Sequence, residues 1–378
     1  METNFKVDVP SFALGYSAGK KKGGGTPEGF HMVRFFNDDR TTLLYTVFVP
    51  TGANAMYAGE TPASAIDHTM WLVGFEPSPT NIKADFDCFA VYEPAITTLD
   101  NTSWAKIAEL SEAGTAEDYF AIGDTKMIHI EGTVGTLDVN GDYGVYIIGF
   151  DHNKFVEGKG ITFGTFKTAV SNGKDICFDV GISGLYDGTK QFNINHWGAS
   201  NHGGWAGCDM RYDILGSTDT APSGYEAAVA SGRTGYDASD ACATNPVANT
   251  LMACLPSDLR AVMKPMTKYT DNTGGGSTST ANVTATIDYL PLLAEFEIFG
   301  KRTNANNGEQ KNQKQYDYFA AGKSKIKYKR SAQDTAWHWW QRSVYYNSNS
   351  AWCYVSTGGI SSTLQTSIPY GIAPIFKV

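Results

Sequence analysis

The sequence predicts an α+β fold that is mostly β, and three observations predict it. Aromatic residues fill 13% of the 378 positions while charged residues fill only 18%. With 40 Gly beside them, this is the composition of a compact, turn-rich chain rather than a disordered or coiled one. Apolar residues also recur mainly in short alternating runs broken by Pro, Gly, Asn and Asp, the punctuation of strands and turns. A chain of this length buries a sizeable core and divides into two or three domains.

Residues 1–25 read as a docking peptide and linker. Phe5, Val7, Phe12, Leu14 and Tyr16 supply anchoring side chains, and Lys20-Lys21-Lys22 before Gly23-Gly24-Gly25 makes a flexible spacer. The opening Met1-Glu2-Thr3-Asn4-Phe5-Lys6 lacks the basic-then-apolar layout of a signal peptide. The expectation is a protein made in a cytoplasm and retained there or released with a particle.

Residues 26–94 read as a small β domain. Strands are expected at 30–36, at 43–49 (stopped by Pro50), at 70–75 and at the alternating Phe86 to Tyr92. Residues 95–378 form one larger domain. It opens on a helix from Ser103 to Leu110, with Trp104, Ile107, Ala108 and Leu110 at helical spacing. A hairpin is expected around Asn140-Gly141, then a strand from Tyr146 to His152 and a helix from Asp258 to Met263 ended by Pro265. Thr273 to Ser277 reads as an exposed loop, and 288–300 as a strand passing into a short turn. Trp352-Cys353-Tyr354-Val355 is a strand with Cys353 buried.

Charge is uneven. Residues 301–330 carry nine Lys or Arg against Glu309 and Asp317, net +7, whereas residues 1–300 carry 19 basic against 36 acidic, net −17. The basic stretch reads as a solvated face complementing an acidic body, and the overall balance of −9 argues against a phosphate backbone as partner. No run of roughly twenty apolar residues could span a bilayer. The six cysteines lie far apart with no Cys-x-x-Cys pair and read as reduced core thiols.

Catalytic signatures are missing. There is no Gly-x-Ser-x-Gly elbow, and Gly322-Lys323-Ser324 has Asp317 where a phosphate loop needs its first Gly. His196, His202 and Cys208 fit no zinc spacing. Asp138, Asn140 and Asp142 match the start of a calcium loop, but Tyr143 replaces the required Gly. Neither a metal nor a cofactor is expected.

The terminal region carries the clearest functional signal. Trp339, Trp340 and Arg342 read as scaffold, with Trp340 inward and Arg342 paired with a carboxylate or stacked on a ring. Three tryptophans at 337, 339 and 340 cannot all face one side of a strand, so another is expected to be accessible. Tyr345, Tyr346, Asn347, Ser348, Asn349 and Ser350 follow, with Trp352, Tyr354, Ser361, Ser362, Thr363, Gln365 and Thr366 around them. Tyr gives contact area at low entropy cost while Ser and Asn adapt their hydrogen bonds, the composition of a recognition surface. These thirteen residues are the ligand-binding expectation.

Two resemblances sharpen this reading. Gly52-Ala53-Asn54-Ala55-Met56-Tyr57-Ala58-Gly59-Glu60-Thr61-Pro62 and Gly74-Phe75-Glu76-Pro77 resemble the Listeria–Bacteroides repeat, with Phe75 where Trp is usual. That implies a β-grasp-like spacer module with no chemistry of its own. Gly203-Gly204-Trp205, Met210-Arg211, Leu255-Pro256-Ser257-Asp258-Leu259, Leu292 to Gly300, Trp339-Trp340-Gln341-Arg342-Ser343 and Tyr370-Gly371-Ile372-Ala373-Pro374 resemble a domain of unknown function found in gut Firmicutes and their phages. Gln341 stands where that family has Leu, and Ala373 where it has Arg. The resemblance implies a C-type lectin fold, and similarity to variable proteins of diversity-generating retroelements, in which this strip is mutated at adenines.

Together they imply a non-enzymatic bacteriophage virion surface protein, a fibre or receptor-binding protein for host adhesion. Its partners would be other virion proteins through the N-terminal peptide, a bacterial surface glycan or protein receptor, and copies of itself, as a trimer. No nucleic acid or membrane insertion is implied. The alternatives are a capsid decoration protein and a formylglycine-generating-type enzyme using Cys353.

Overall fold

The computed structural model describes residues 26–67, 70–135, 137–179, 192–195, 200–218, 238–366 and 368–378. The expected anchoring residues Phe5, Val7, Phe12, Leu14 and Tyr16 lie outside them, as does His196. The architecture is mixed and mostly strand, 32% against 17% helix. Two compact units divide between Ala95 and Ile96.

The first unit is a four-stranded sheet of β1 (Phe30–Phe36), β2 (Leu43–Pro50), β3 (Met70–Glu76) and β4 (Phe86–Pro94), in the order β2-β1-β4-β3. The outer pairs are antiparallel and the central pair, β1 with β4, is parallel. Period-two alternation places Val33, Phe35, Val49, Cys88 and Ala90 in the core. Tyr57 and Phe75 close that core edge-on to Phe35, at 5.5 and 4.8 Å between ring centroids.

The second unit opens on helix Trp104–Ala113. The Ser103 hydroxyl accepts the Lys106 N–H, and Gly114, at φ 70°, supplies the left-handed C-terminal cap. Trp104, Ile107 and Leu110 face inward, Trp104 lying edge-on to Phe163 at 5.3 Å. Four strands build the sheet beneath: β5 (Thr125–Ile130), β8 (Gly141–Phe150), β9 (Ile161–Lys167) and β18 (Ile375–Lys377), in the order β18-β9-β8-β5. Between β5 and β8 lie β6 (Thr133–Val134) and β7 (Leu137–Asp138), which pair with each other. Short strands β10 (Ile176–Cys177), β13 (Lys327–Lys329) and β14 (Ala336–Trp337) form a third sheet. β11 (Met266–Asp271) pairs with β12 (Val283–Asp288). Last, β15 (Trp339–Val344), β16 (Ala351–Val355) and β17 (Ser361–Gln365) form an antiparallel meander.

The structure corrects several local expectations. Asn140-Gly141 is not a hairpin turn: Gly141 opens β8 opposite Ile130. The Asn140 side-chain oxygen instead accepts the Gly132 N–H at 2.6 Å, a local bond that outcompetes the turn. The strand expected to reach His152 ends at Phe150. The helix expected over 258–263 is a single turn, Ser257–Arg260. Glu295–Phe299 is helical rather than extended, because Glu297 turns back to accept the Ala294 N–H at 2.9 Å.

Candidate functional site

Strand β15 is the frame. Trp339 and Trp340 are both fully buried, and they belong to different apolar clusters. Their indole N–H groups donate to the carbonyls of Lys325 (3.0 Å) and Phe192 (2.9 Å). Trp337, half-buried, is the accessible member of the three. Arg342 is fully buried. It forks onto Glu297 at 2.5 and 2.7 Å, and it also donates to Thr270 Oγ1 and the Leu292 carbonyl. Lys268 joins Glu297 at 3.1 Å, Glu157 at 2.6 Å and the Tyr316 hydroxyl at 2.8 Å. Burial alone would raise the Glu297 pKa, but Arg342 and Lys268 outweigh it and hold the carboxyl well below its usual range. The four charges of this network, Arg342, Lys268, Glu297 and Glu157, thus satisfy one another.

The Tyr345–Ser350 loop joins β15 to β16, closed by the Tyr345 N–H on the Ala351 carbonyl at 3.1 Å. Two buried side chains fix where it sits. The Asn201 amide donates to the carbonyls of Ser348 (2.7 Å) and Ala351 (2.9 Å), and its oxygen accepts the Gly275 N–H at 2.8 Å. That seats the 273–277 loop, expected to be exposed, against the recognition loop instead. At Gly274 (φ 60°) a Cβ would stand 2.0 Å from the Asn201 carbonyl oxygen, so only glycine fits. The second anchor is Glu295, fully buried. It accepts the N–H groups of Thr303, Asn304 and Ala305 at 2.7–2.9 Å and the Ser361 hydroxyl. The Asn304 carbonyl then accepts the Tyr346 N–H at 3.1 Å, and its amide reaches Ser361 at 3.0 Å. Asn201, Glu295, Asn304 and Gly274 escaped the sequence reading. The glycine run was its only visible trace.

These anchors gather most of the expected binding residues on one surface. Asn347 and Asn349 are exposed, and Tyr345, Tyr346, Ser348 and Ser350 half-buried. On β17, Ser361 and Thr363 are half-buried and Gln365 exposed, sharing one face by alternation. Ser362 falls on the opposite face beside Tyr354, whose ring packs on Tyr370 at 4.8 Å and His338 at 5.1 Å. Trp352 and Thr366 are corrected: both are fully buried. Trp352 alternates inward with Val344 opposite it, and it packs in the main core rather than on the surface.

No reactive thiol accompanies this surface. All six cysteines are buried and unbridged. Burial, reinforced by Glu295 and Glu309, pushes the Cys353 thiol well above its ordinary value, which disfavours the thiolate that nucleophilic chemistry needs. Among the described residues, no group of His, Cys, Asp and Glu could hold a metal ion.

Among the described residues, Glu309 is the carboxyl that burial tunes toward neutrality. Its oxygens accept the Asp271 N–H at 3.1 Å and the Ser343 hydroxyl at 2.7 Å. Burial dominates and raises its pKa to about 7, against a lowering by Ser343 and Arg342. A carboxyl raised in the folded state stabilises below its unfolded value and loses that contribution as pH rises through 7. Wild type should therefore lose about 3 kcal/mol, relative to Glu309→Gln, between pH 4.5 and 7.5. His152, whose pKa is lowered by burial, slopes the other way but cancels in that comparison. Parallel urea titrations of both proteins across the range check this; identical pH profiles would refute it.

Residues 189–378 match the family model described as a domain of unknown function, DUF6273. No curated protein matches the chain, and no solved structure does. The matched span takes in β11 to β18, both anchors Asn201 and Glu295, and the whole Tyr345–Ser350 loop. It covers half of the 378 residues, and the chain belongs to the DUF6273 family.

Proposed function

We propose that the second unit is a ligand-recognition domain of C-type lectin-like architecture, and that the chain is a non-enzymatic adhesion protein carried on a phage particle to bind the bacterial host surface. One observation carries the recognition reading: Asn201 and Glu295, both buried, hold three separate loops against a Tyr-Asn-Ser surface that takes no part in the core. Such preorganisation lowers the ordering cost of binding. The closure of β18 onto β9 and the separate β15-β16-β17 meander support the lectin-like architecture. In the first unit, the parallel central pair flanked by antiparallel edges supports a β-grasp-like spacer. Anchoring by residues 1–25 and assembly into a trimer, which would multiply weak single-site contacts, rest on the sequence resemblance. Burial of Cys353 weighs against the formylglycine-type alternative.

The test is adhesion of the fluorescent full-length chain to Firmicutes cells, read by flow cytometry. Tyr346→Ala with Asn349→Ala should lower apparent affinity at least about tenfold, as truncation of surface anchors does, with unchanged circular dichroism. Equal adhesion by wild type and variant would refute the assignment of this surface.

A further inference from the structure

The basic residues of 301–330 do not complement the acidic body by ion pairs. Among the described residues, none of the nine Lys and Arg side chains in that stretch lies at ion-pair distance from a carboxylate. Lys327 is buried and spends its ammonium on the Thr165 carbonyl at 2.6 Å and the Tyr146 hydroxyl. The others reach solvent wholly or in part.

Two of them, Arg302 and Lys325, flank the recognition surface at different points. The Arg302 guanidinium lies 5.5 Å from the Tyr346 ring centroid, its stem tied by a 2.8 Å bond to the Ala305 carbonyl. The Lys325 ammonium lies 5.8 and 5.9 Å from the Phe299 and Phe319 rings. Its Cβ stands 3.7 Å from where a Cβ on Gly359, in the β16–β17 turn, would be. Lys301, exposed, is the chain neighbour of Arg302. The carboxylate nearest this group in the hydrogen-bond pattern is Glu295, which is buried and committed to the 303–305 N–H groups and Ser361. Among the described residues, no carboxylate lies at ion-pair distance from these cations.

We propose that the surface formed by Tyr346, Ser361, Lys301, Arg302 and Lys325 binds a polyanionic glycan, a cell-surface polymer that repeats phosphate or carboxylate groups along its length. This rests on the recognition reading and names its ligand class. Guanidinium forks match phosphate and carboxylate oxygens, while hydroxyls and a tyrosine edge suit sugar rings between the charges. Rings beneath Arg302 and Lys325 restrain the cations at low cost in charge solvation. Single-stranded nucleic acid would need open aromatic faces for base stacking, and here Tyr346, Phe299 and Phe319 each lie under a cation.

Biolayer interferometry of the full chain on immobilised polyglycerol phosphate, polygalacturonate, dextran and oligo-dT tests this. Both anionic polymers should bind and dextran should not, with log K falling against log salt at a slope of about −2 for three contacts. Lys301→Glu with Lys325→Glu should weaken binding about tenfold or more, whereas Lys311→Glu on the same segment should change it less than about twofold. The single Lys301→Glu, at an exposed position, keeps the test valid if the double variant misfolds. Equal binding to dextran, equal losses in Lys311→Glu, or stronger binding to oligo-dT would overturn the inference. If the chain adheres to cells yet ignores both anionic polymers, this inference falls and the recognition reading stands; adhesion to neither removes both.

Discussion

Glu297→Leu should destabilise the second unit by about 3–5 kcal/mol, because it strands the buried Arg342 guanidinium and leaves Lys268 with Glu157 alone. Arg342 is 0% exposed and Lys268 1% exposed, and Glu297 is the carboxylate they share. Without it, Arg342 keeps only neutral acceptors, Thr270 Oγ1 and the Leu292 carbonyl. Arg342→Met in the same background should restore part of the loss, since removing both partners of a buried pair costs less than removing one. Urea unfolding of wild type, both single variants and the double variant reads this directly. A loss below about 1 kcal/mol for Glu297→Leu would mean the network is hydrated and β15 is not held as described.

Asn201→Ala should cost about 2–4 kcal/mol, at roughly one kilocalorie for each hydrogen bond plus the stranding of buried carbonyls. The structural consequence is more specific than the energy. The Ser348 and Ala351 carbonyls and the Gly275 N–H lose their common partner. Amide hydrogen exchange should then speed up in 273–277 and 345–350 together, while helix Trp104–Ala113 keeps its protection. Acceleration in only one of the two loops would show that Asn201 does not couple them.

The strands of the first unit were legible because alternation and Pro50 report a half-buried sheet directly. Helix Trp104–Ala113 was legible from its apolar spacing and Ser103 cap. The failures have local causes. Glu295 and Glu297 alternate with Phe296 and Ile298 and mimic a strand, yet both carboxylates point inward, to backbone N–H groups and Arg342. Thr273 to Ser277 has the composition of a free loop, but its glycines serve close approach to Asn201. Trp352 follows a surface loop in sequence and packs in the core because alternation in β16 turns it inward. The basic segment looked like a counterweight to an acidic chain, and sequence distance could not reveal that Arg302 and Lys325 come to the two ends of β17's neighbourhood. Neither the Asn201–Gly275 bond, 74 residues long in sequence, nor the Arg302–Tyr346 contact, 44 residues long, has a local signature.

The recognition proposal requires frame and surface to be separable, with β15 and its anchors fixing the fold and residues 345–350 choosing the ligand. Its most direct measurement replaces Tyr345, Tyr346, Asn347, Ser348, Asn349 and Ser350 with a shuffled set of the same residue types, then reads urea stability and cell adhesion on the same preparation. Stability should stay within about 1 kcal/mol of wild type, as for surface substitutions, with adhesion lost or redirected to other cells. Unaltered adhesion, or unfolding that accompanies every shuffle, would contradict it.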